Sequence, residues 1–407
     1  MWLYRPRKGH RKPIPAYPAY LVLLALSLKQ LQEELDDLKR NGLYRQLAGR
    51  VPDRVVNFSS NDYLGLAADP ALLLPVNGNH PVGAGAARLI RGDFPQHNAL
   101  EADVAAFKNA DAALLFSSGY QANLGALTAL AGPTDIIFSD ALNHASIIDG
   151  CRLSRATVKV YPHLDAANLA KQLTESGEYR RRIIVTDSVF GMDGDEAPLE
   201  ELASIAAKYD ALFVVDEAHA TGVYGHEGRG LLAATQTKAD LQITTFGKAL
   251  GTFGAAVSGC HTLIDYLTNR ARPFIFTTAL PPLICAATSQ AINLLQQPEG
   301  AARLGNLKRN ITQLTSGLAA MGLPSQNPHS PIQPIACASP QAALQASATL
   351  FEDGYFAQAI RPPTVPDGGS RIRLAVNANH QPQDVAGLLA MLKKNRHSFT
   401  YEPIQNA

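Results

Sequence analysis

The sequence predicts an α/β protein with a mainly parallel central sheet and a smaller α+β domain at the C-terminal end. Two observations carry this. Short, continuous apolar runs (AALLF, TDIIFSD, RRIIVTDSV, ALFVVD) alternate with helical stretches, as strands buried on both faces of a parallel sheet do. After Pro281-Pro282 the pattern changes to a long Ala/Leu/Gln-rich helical region, then strands at PIQPI and SRIRLAV with helices between and after them. The 407 residues, 46% apolar and 17% charged, provide for two or three domains with a large core. The expected division is an N-terminal arm and helix over 1–60, a large domain over 61–292 and a small domain over 293–407.

In chain order, the basic segment MWLYRPRKGHRK and the apolar run Tyr20–Leu28 resemble the start of a signal peptide, but no small-x-small cleavage site follows. The run is too short to span a bilayer, and an over-extended translation start or a loose arm is the alternative. LKQLQEELDDLKRNG repeats leucine every three or four residues and stops at Asn-Gly, which predicts an amphipathic helix. VVNFSSNDYLGL predicts a short strand entering a turn. HNALEADVAAFKN and YQANLGALTAL predict helices around the strand AALLF. TVKVYP and QITTFG complete the strand set, with helices near Ala166–Glu175 and Leu199–Lys208. QAALQASATLF and DVAGLLAMLKK supply helices of the small domain.

Thirty-six basic against 35 acidic residues remove the electrostatic case for a general nucleic-acid binder. Cysteines 151, 260, 285 and 337 form no CxxC pair, so neither a zinc site nor a disulfide scaffold is expected, and a reducing cytoplasm fits.

Ligands of open α/β sheets bind at the carboxyl ends of strands, and four segments there carry chemistry. ALFVVD delivers Asp216, with His219 three residues on. The pair reads either as a capping acid with a surface histidine or as a carboxylate holding a heterocycle nitrogen protonated beside an imidazole. In TTFGKALGTFGAA, Lys248 is either an ordinary solvated lysine or a desolvated amine able to form a Schiff base, with the Thr244 and Thr245 hydroxyls near for a phosphate. In LLFSSGYQANL the amides of Gly119 and Tyr120 open a helix, an anion site or a plain capped turn. In DALNHASIIDG, His144 follows a strand in a loop, either packing locally or stacking on a flat ring. Together these supply an imine partner, a pyridinium counter-ion, a ring support and an anion site, the set that pyridoxal phosphate requires. Dinucleotide, P-loop and GxSxG patterns are incomplete.

With NFSSNDYLGL, SSGYQANL, NHASIIDG, VFGMDGDEAPL, VVDEAHATGVYG and TFGKALG in that order, the chain resembles the α-oxoamine synthases from about Leu28 to Asn395. These are pyridoxal-phosphate enzymes of the aspartate-aminotransferase-type fold (fold type I). SPIQPI and AIRPPTVPDGGSRIRL resemble the branch that condenses L-alanine with a pimeloyl thioester, on CoA or on a carrier protein, in biotin biosynthesis. The resemblance implies that Lys248 binds the cofactor and moves the substrate proton. It implies that Asp216 pairs with the pyridinium nitrogen, His219 bonds the phenolic oxygen and His144 stacks on the ring. Gly119, Tyr120 and Thr245 would serve the cofactor, with Thr277 or Thr278 reaching a neighbouring subunit's phosphate. Arg361 would clamp the amino-acid carboxylate, and Thr364, Asn61 and Arg45 would contact substrate. A homodimer is implied, with neither nucleic acid nor membrane as partner.

Two departures stand out. Gly191 replaces the serine of the family's VFSMDGD, with Ser188 the candidate to compensate. The stretch from Pro70 to Arg88 is several residues short and broken by prolines, which implies a trimmed helix. The rivals are a sibling synthase that uses glycine with a short acyl-CoA, a silent paralogue within a complex, and a lyase or aminotransferase of the same fold.

Overall fold

The computed structural model describes residues 18–47, 49, 51–73, 81–323, 325, 327–396 and 399, with backbone alone over 18–27. The basic segment 1–12 and residues 74–80, inside the shortened stretch, lie outside the described residues. The chain divides after Arg50. In the N-terminal unit the leucine-repeat helix runs Pro18–Arg40, taking in the apolar run as well, and ends at Asn41-Gly42. No helix of the described residues is long and apolar enough to cross a membrane.

From Val51 onward the chain forms a second unit. Its strands are β1 (Val56–Asn57), β2 (Ala112–Phe116), β3 (Ile136–Asp140), β4 (Thr157–Tyr161), β5 (Arg182–Asp187), β6 (Ala211–Asp216), β7 (Leu241–Thr245), β8 (Ala255–Gly259), β9 (Ile332–Ala336), β10 (Tyr355–Phe356), β11 (Gln358–Ile360) and β12 (Arg371–Ala375). The seven-stranded sheet has the order β2-β8-β7-β6-β5-β3-β4. It is parallel throughout except for β8, antiparallel to both of its neighbours. Sequence reading missed β8, because AAVSG, small and next to glycines, lacks the bulky apolar residues that mark a buried strand.

Alternate residues of β5 and β6 go to opposite cores. Ile183, Val185 and Val214 pack with the helices Gly119–Leu130 and Ala145–Ser154, while Ile184, Phe213 and Val215 pack with Ala166–Thr174 and Leu199–Lys208. Burial on both faces is why these strands read as unbroken apolar runs.

The C-terminal part holds a separate antiparallel sheet, β11-β12-β9, with the helices Pro282–Leu295, Pro298–Ala320, Pro340–Glu352 and Pro382–Lys394, each opening on a proline whose missing N–H needs no partner there. A third apolar cluster joins the two parts, from Phe58, Tyr63 and Leu66 through Phe246 and Leu250 to Ile335, Ile372 and Leu388. β1 pairs with β10, so the segment after Val51 is stitched to the C-terminal part. In the stretch after Pro70 only one helical turn is described, Pro70–Leu73.

Lys108, at the end of the helix Pro95–Phe107, and Glu217, directly after β6, form an ion pair with no side-chain exposure, Nζ to Oε2 2.5 Å. Nζ also donates to Thr221 Oγ1 and to the Arg229 carbonyl, which completes its donor set. Lys108→Met strands the Glu217 charge, so a drop of about 3–5 kcal/mol in unfolding free energy is expected in a denaturant titration.

Candidate active site

The carboxyl ends of β3, β5, β6 and β7 converge with that of β2, and they carry the chemistry. At the end of β6, Asp216 is 3% exposed. Its Oδ2 accepts from Asn123 Nδ2 (2.6 Å) and its Oδ1 from the Ala218 amide (2.8 Å). Donors on both oxygens fix the plane of this carboxylate. Asp187, in register with it on β5, accepts from the His144 amide at 2.7 Å. Burial, then the charge of Asp216, pushes the Asp187 carboxyl well above the carboxylate range.

Lys248 lies in the loop between β7 and β8, and its Nζ is 3.0 Å from His219 Nε2. Burial, reinforced by the Arg373 cation, pulls its amine to about 8 against the opposing pull of Asp216 and Asp187. His219 is buried, and burial together with the Lys248 and Arg373 charges keeps it neutral, well below the ordinary imidazole range. Its Nδ1 is 2.7 Å from the Tyr63 hydroxyl.

His144 is the N-cap of the helix Ala145–Ser154 rather than a loop residue, its Nδ1 2.7 Å from Ser146 Oγ. Tyr120 stands edge-on to its ring at 6.4 Å. Ser118 caps the helix Gly119–Leu130 by accepting from the Gln121 amide. The intrahelical ladder begins with Ala122 N to Ser118 O, so the Gly119 and Tyr120 amides precede it, and such first-turn donors suit an anion. A Cβ on Gly119 would stand 2.5 Å from Thr245 Cγ2, so glycine is what lets Thr245 close against this helix start. Thr244 does not share that face. Successive strand residues point oppositely, and Thr244 is 1% exposed with its hydroxyl unpartnered in the core.

Thr277, half-buried, and Thr278, exposed, line a small cavity with Ser117 and His97. Arg361 is buried in the loop after β11, and the Thr364 amide donates to its carbonyl. Asn61 Oδ1 accepts from Arg373 Nη2 at 2.9 Å. Arg45 belongs to the N-terminal unit. Sequence reading missed Tyr63, Asn123, Asp187 and Arg373. Of these, Tyr63 lies within NDYLGL and Asn123 within SSGYQANL, so only their motif membership signalled them.

Ser188 does not take the role the departure suggested for it, because its fully buried hydroxyl donates to the Asp216 carbonyl (2.9 Å) and braces the strand end. At Gly191 the His219 ring occupies the room a side chain would take: a Cβ there would stand 2.4 Å from Nε2. A residue with a Cβ at 191, such as the serine of the family motif, must displace the end of the His219 ring from its present place.

The loop that carries Gly191 is held from two sides. Arg373 Nε donates to the Gly191 carbonyl at 2.6 Å and Arg371 pairs with Asp193. His163 bridges Asp140 and Asp195, both at 2.8 Å, edge-on to Phe190. Although burial opposes it, the two carboxylates lift His163 to about 9. A folded-state value above the unfolded 6.5 stabilises fully below pH 6.5, and that stability is lost as pH rises through 9. Thermal melts across this window should show wild type losing stability and His163→Gln showing a flatter profile.

A further cavity of about 900 Å³ opens at the amino ends of β6 and β7, between Asp111, Arg229 and Cys260, at the opposite end of the sheet from Lys248.

The Lys248 site fits pyridoxal phosphate on its own terms: a poised amine, a fixed buried carboxylate, a ring-bearing helix cap, and an anion cradle a Cβ would fill. The fold and this site define a pyridoxal-phosphate enzyme of fold type I. The family model for class I and II aminotransferases matches residues 53–392, and the chain belongs to that family. It is 47% identical to the 8-amino-7-oxononanoate synthase of Anaeromyxobacter dehalogenans over 376 residues, 91% of this chain and 93% of that one. Among solved structures, it is similar to a serine palmitoyltransferase of S. paucimobilis with bound PLP-myriocin aldimine (TM-score 0.84, 28% identity, 92% of this chain and 99% of that one). It is also similar to the 8-amino-7-oxononanoate synthase of Francisella tularensis (TM-score 0.71, 29% identity, 85% and 99%).

Proposed function

We propose that the chain condenses L-alanine with a pimeloyl thioester, releasing carbon dioxide and the free thiol, to give 8-amino-7-oxononanoate for biotin biosynthesis. The observation that carries this reading is the poised Lys248 beside His219 and Asp216, in a chain nearly half identical to curated enzymes of that name. Pyridoxal phosphate, when bound, supplies the electron sink that makes the alanine α-carbon acidic.

The chain's residues do the rest. Lys248 takes the proton from the alanine α-carbon and returns one after the carboxylate has left, and an amine near pH 8 suits both directions. The α-carbon forms its new bond to the acyl carbonyl, the carbon–sulfur bond breaks, and the thiol leaves. Asp216 would hold the ring nitrogen protonated, His219 would donate to the phenolic oxygen, and His144 would support the ring face. Gly119, Tyr120 and Thr245 would hold the phosphate, with Thr277 or Thr278 serving that of a partner copy in a homodimer. Arg361 clamps the alanine carboxylate, its planar fork matching a carboxylate. Thr364, Asn61 and Arg45 contact substrate. Division at residues 60 and 292 into arm, large and small domain, and a cytoplasmic location, belong to the same proposal.

Free-thiol release by the loaded enzyme tests the substrate assignment. L-Alanine with pimeloyl-CoA, or with the pimeloyl carrier protein, should outpace glycine with acetyl-CoA. Turnover of the glycine pair alone would overturn the assignment.

A further inference from the structure

The hydrogen bonds around His219 form a chain that begins outside the cofactor residues. Arg373, on β12, is 5% exposed and donates through Nη2 to Asn61 Oδ1 (2.9 Å) and to the Tyr63 hydroxyl (3.4 Å). Tyr63 is fully buried, with its hydroxyl 2.7 Å from His219 Nδ1 and 3.2 Å from Asn61 Oδ1. His219 Nε2 then meets Lys248 Nζ at 3.0 Å. A neutral imidazole carries its hydrogen on one nitrogen only, and its neighbours decide which.

We propose that Tyr63, anchored by Arg373, is a positioning residue that sets the tautomer of His219: the tyrosine hydroxyl donates to Nδ1, so Nε2 carries the hydrogen and presents it to Lys248. Two geometric facts fix this direction. A guanidinium has only donors, so Arg373 fills acceptor capacity on the tyrosine oxygen and leaves its single hydrogen to be placed elsewhere. The two places for that hydrogen are unequal. The contact with Asn61 Oδ1 exceeds the roughly 2.5–3.0 Å of an O–H···O bond, and that oxygen already receives Arg373, whereas the contact with Nδ1 is short. The opposite polarity would leave Nε2 bare, with Lys248 as its donor. In the assigned one, the lysine, once deprotonated above about 8, is the acceptor, the form in which it can remove a proton.

This deepens the reading of Lys248 as the proton-moving group and rests on it. The test uses the cofactor-free full chain with ¹⁵N-labelled histidine, at a pH above the Lys248 value of about 8 so that the lysine can accept, the His219 signals being assigned by their loss in His219→Asn. Wild type should show a bare Nδ1 and a protonated Nε2. Tyr63→Phe, which deletes only the hydroxyl, should abolish that single tautomer, and Arg373→Lys, which keeps a donor, should retain it. In the loaded enzyme Tyr63→Phe should lower kcat about 10- to 100-fold, on the order of the loss when the partner that orients a metal-binding imidazole is removed, with little change in KM for alanine. A protonated Nδ1 in wild type, or an unchanged tautomer in Tyr63→Phe, overturns the proposal. The wild-type spectrum decides even where the variant fails to fold. These nitrogen signals are independent of the thiol assay: the expected pattern in a protein that releases no thiol upholds the tautomer and removes the proposed reaction, and thiol release with a protonated Nδ1 does the reverse.

Discussion

Lys248→Ala should lower kcat/KM for the condensation by at least about 10⁴-fold, because it removes both the group that binds the cofactor and the base that moves the α-proton. Lys248→Arg should be nearly as inactive, since a guanidinium stays protonated and cannot accept a proton. The wild-type amine makes a related pH statement. Held near 8 by burial, Lys248 is deprotonated as pH rises through 8 rather than through the ordinary 10.5. The rate at which cofactor-free protein takes up pyridoxal phosphate should therefore rise and level off across pH 8. Stopped-flow absorbance at several pH values measures this, and a rise continuing toward pH 10 would show the amine to be solvated.

Asp216→Asn should lower kcat about 10²- to 10⁴-fold, the equivalent of losing one partner of a buried charge pair at about 3–5 kcal/mol. The change is nearly isosteric, so the effect is electrostatic. Both carboxylate oxygens receive an N–H, from Asn123 and from Ala218, so an amide here also turns one attraction into a donor facing a donor. Steady-state kinetics checks the size of the loss, with Asp187→Asn as comparison. Asp187 is in register on β5 but is pushed toward its neutral form, so neutralising it should matter far less.

Much of this site is legible in the sequence because strand ends punctuate it. Asp216 closes an apolar run, His219 follows at a fixed short distance, and Lys248 sits among small residues just past β7. The sheet is legible for the same reason, since strands buried on both faces leave unbroken apolar runs. What the sequence conceals is pairing over distance. Tyr63 meets His219 across 156 residues, and Arg373 meets Tyr63 across 310. In SRIRLAV the alternation of Arg371 and Arg373 with Ile372 and Leu374 reads as a strand with a solvent face. Both arginines are buried, at 1% and 5%, because the loop of Gly191 and Asp193 covers them. Of the strands of two or three residues, VVNF marks β1, whereas β10 and β11 are too short for any periodicity to mark. His144 reads as a loop residue because its helix starts directly after it, on a capping histidine rather than on serine, threonine or aspartate.

In the proposed reaction one site joins the α-carbon of L-alanine to a pimeloyl group while expelling alanine's carboxylate. Incubation of the loaded enzyme with L-alanine labelled with ¹³C at the carboxyl carbon, together with pimeloyl-CoA, tests this most directly. Labelled carbon dioxide and free thiol are expected in equal amounts, with an unlabelled amino ketone of the mass of 8-amino-7-oxononanoate, and none of the three from Lys248→Ala. Label retained in the product, or carbon dioxide released without thiol, would contradict it.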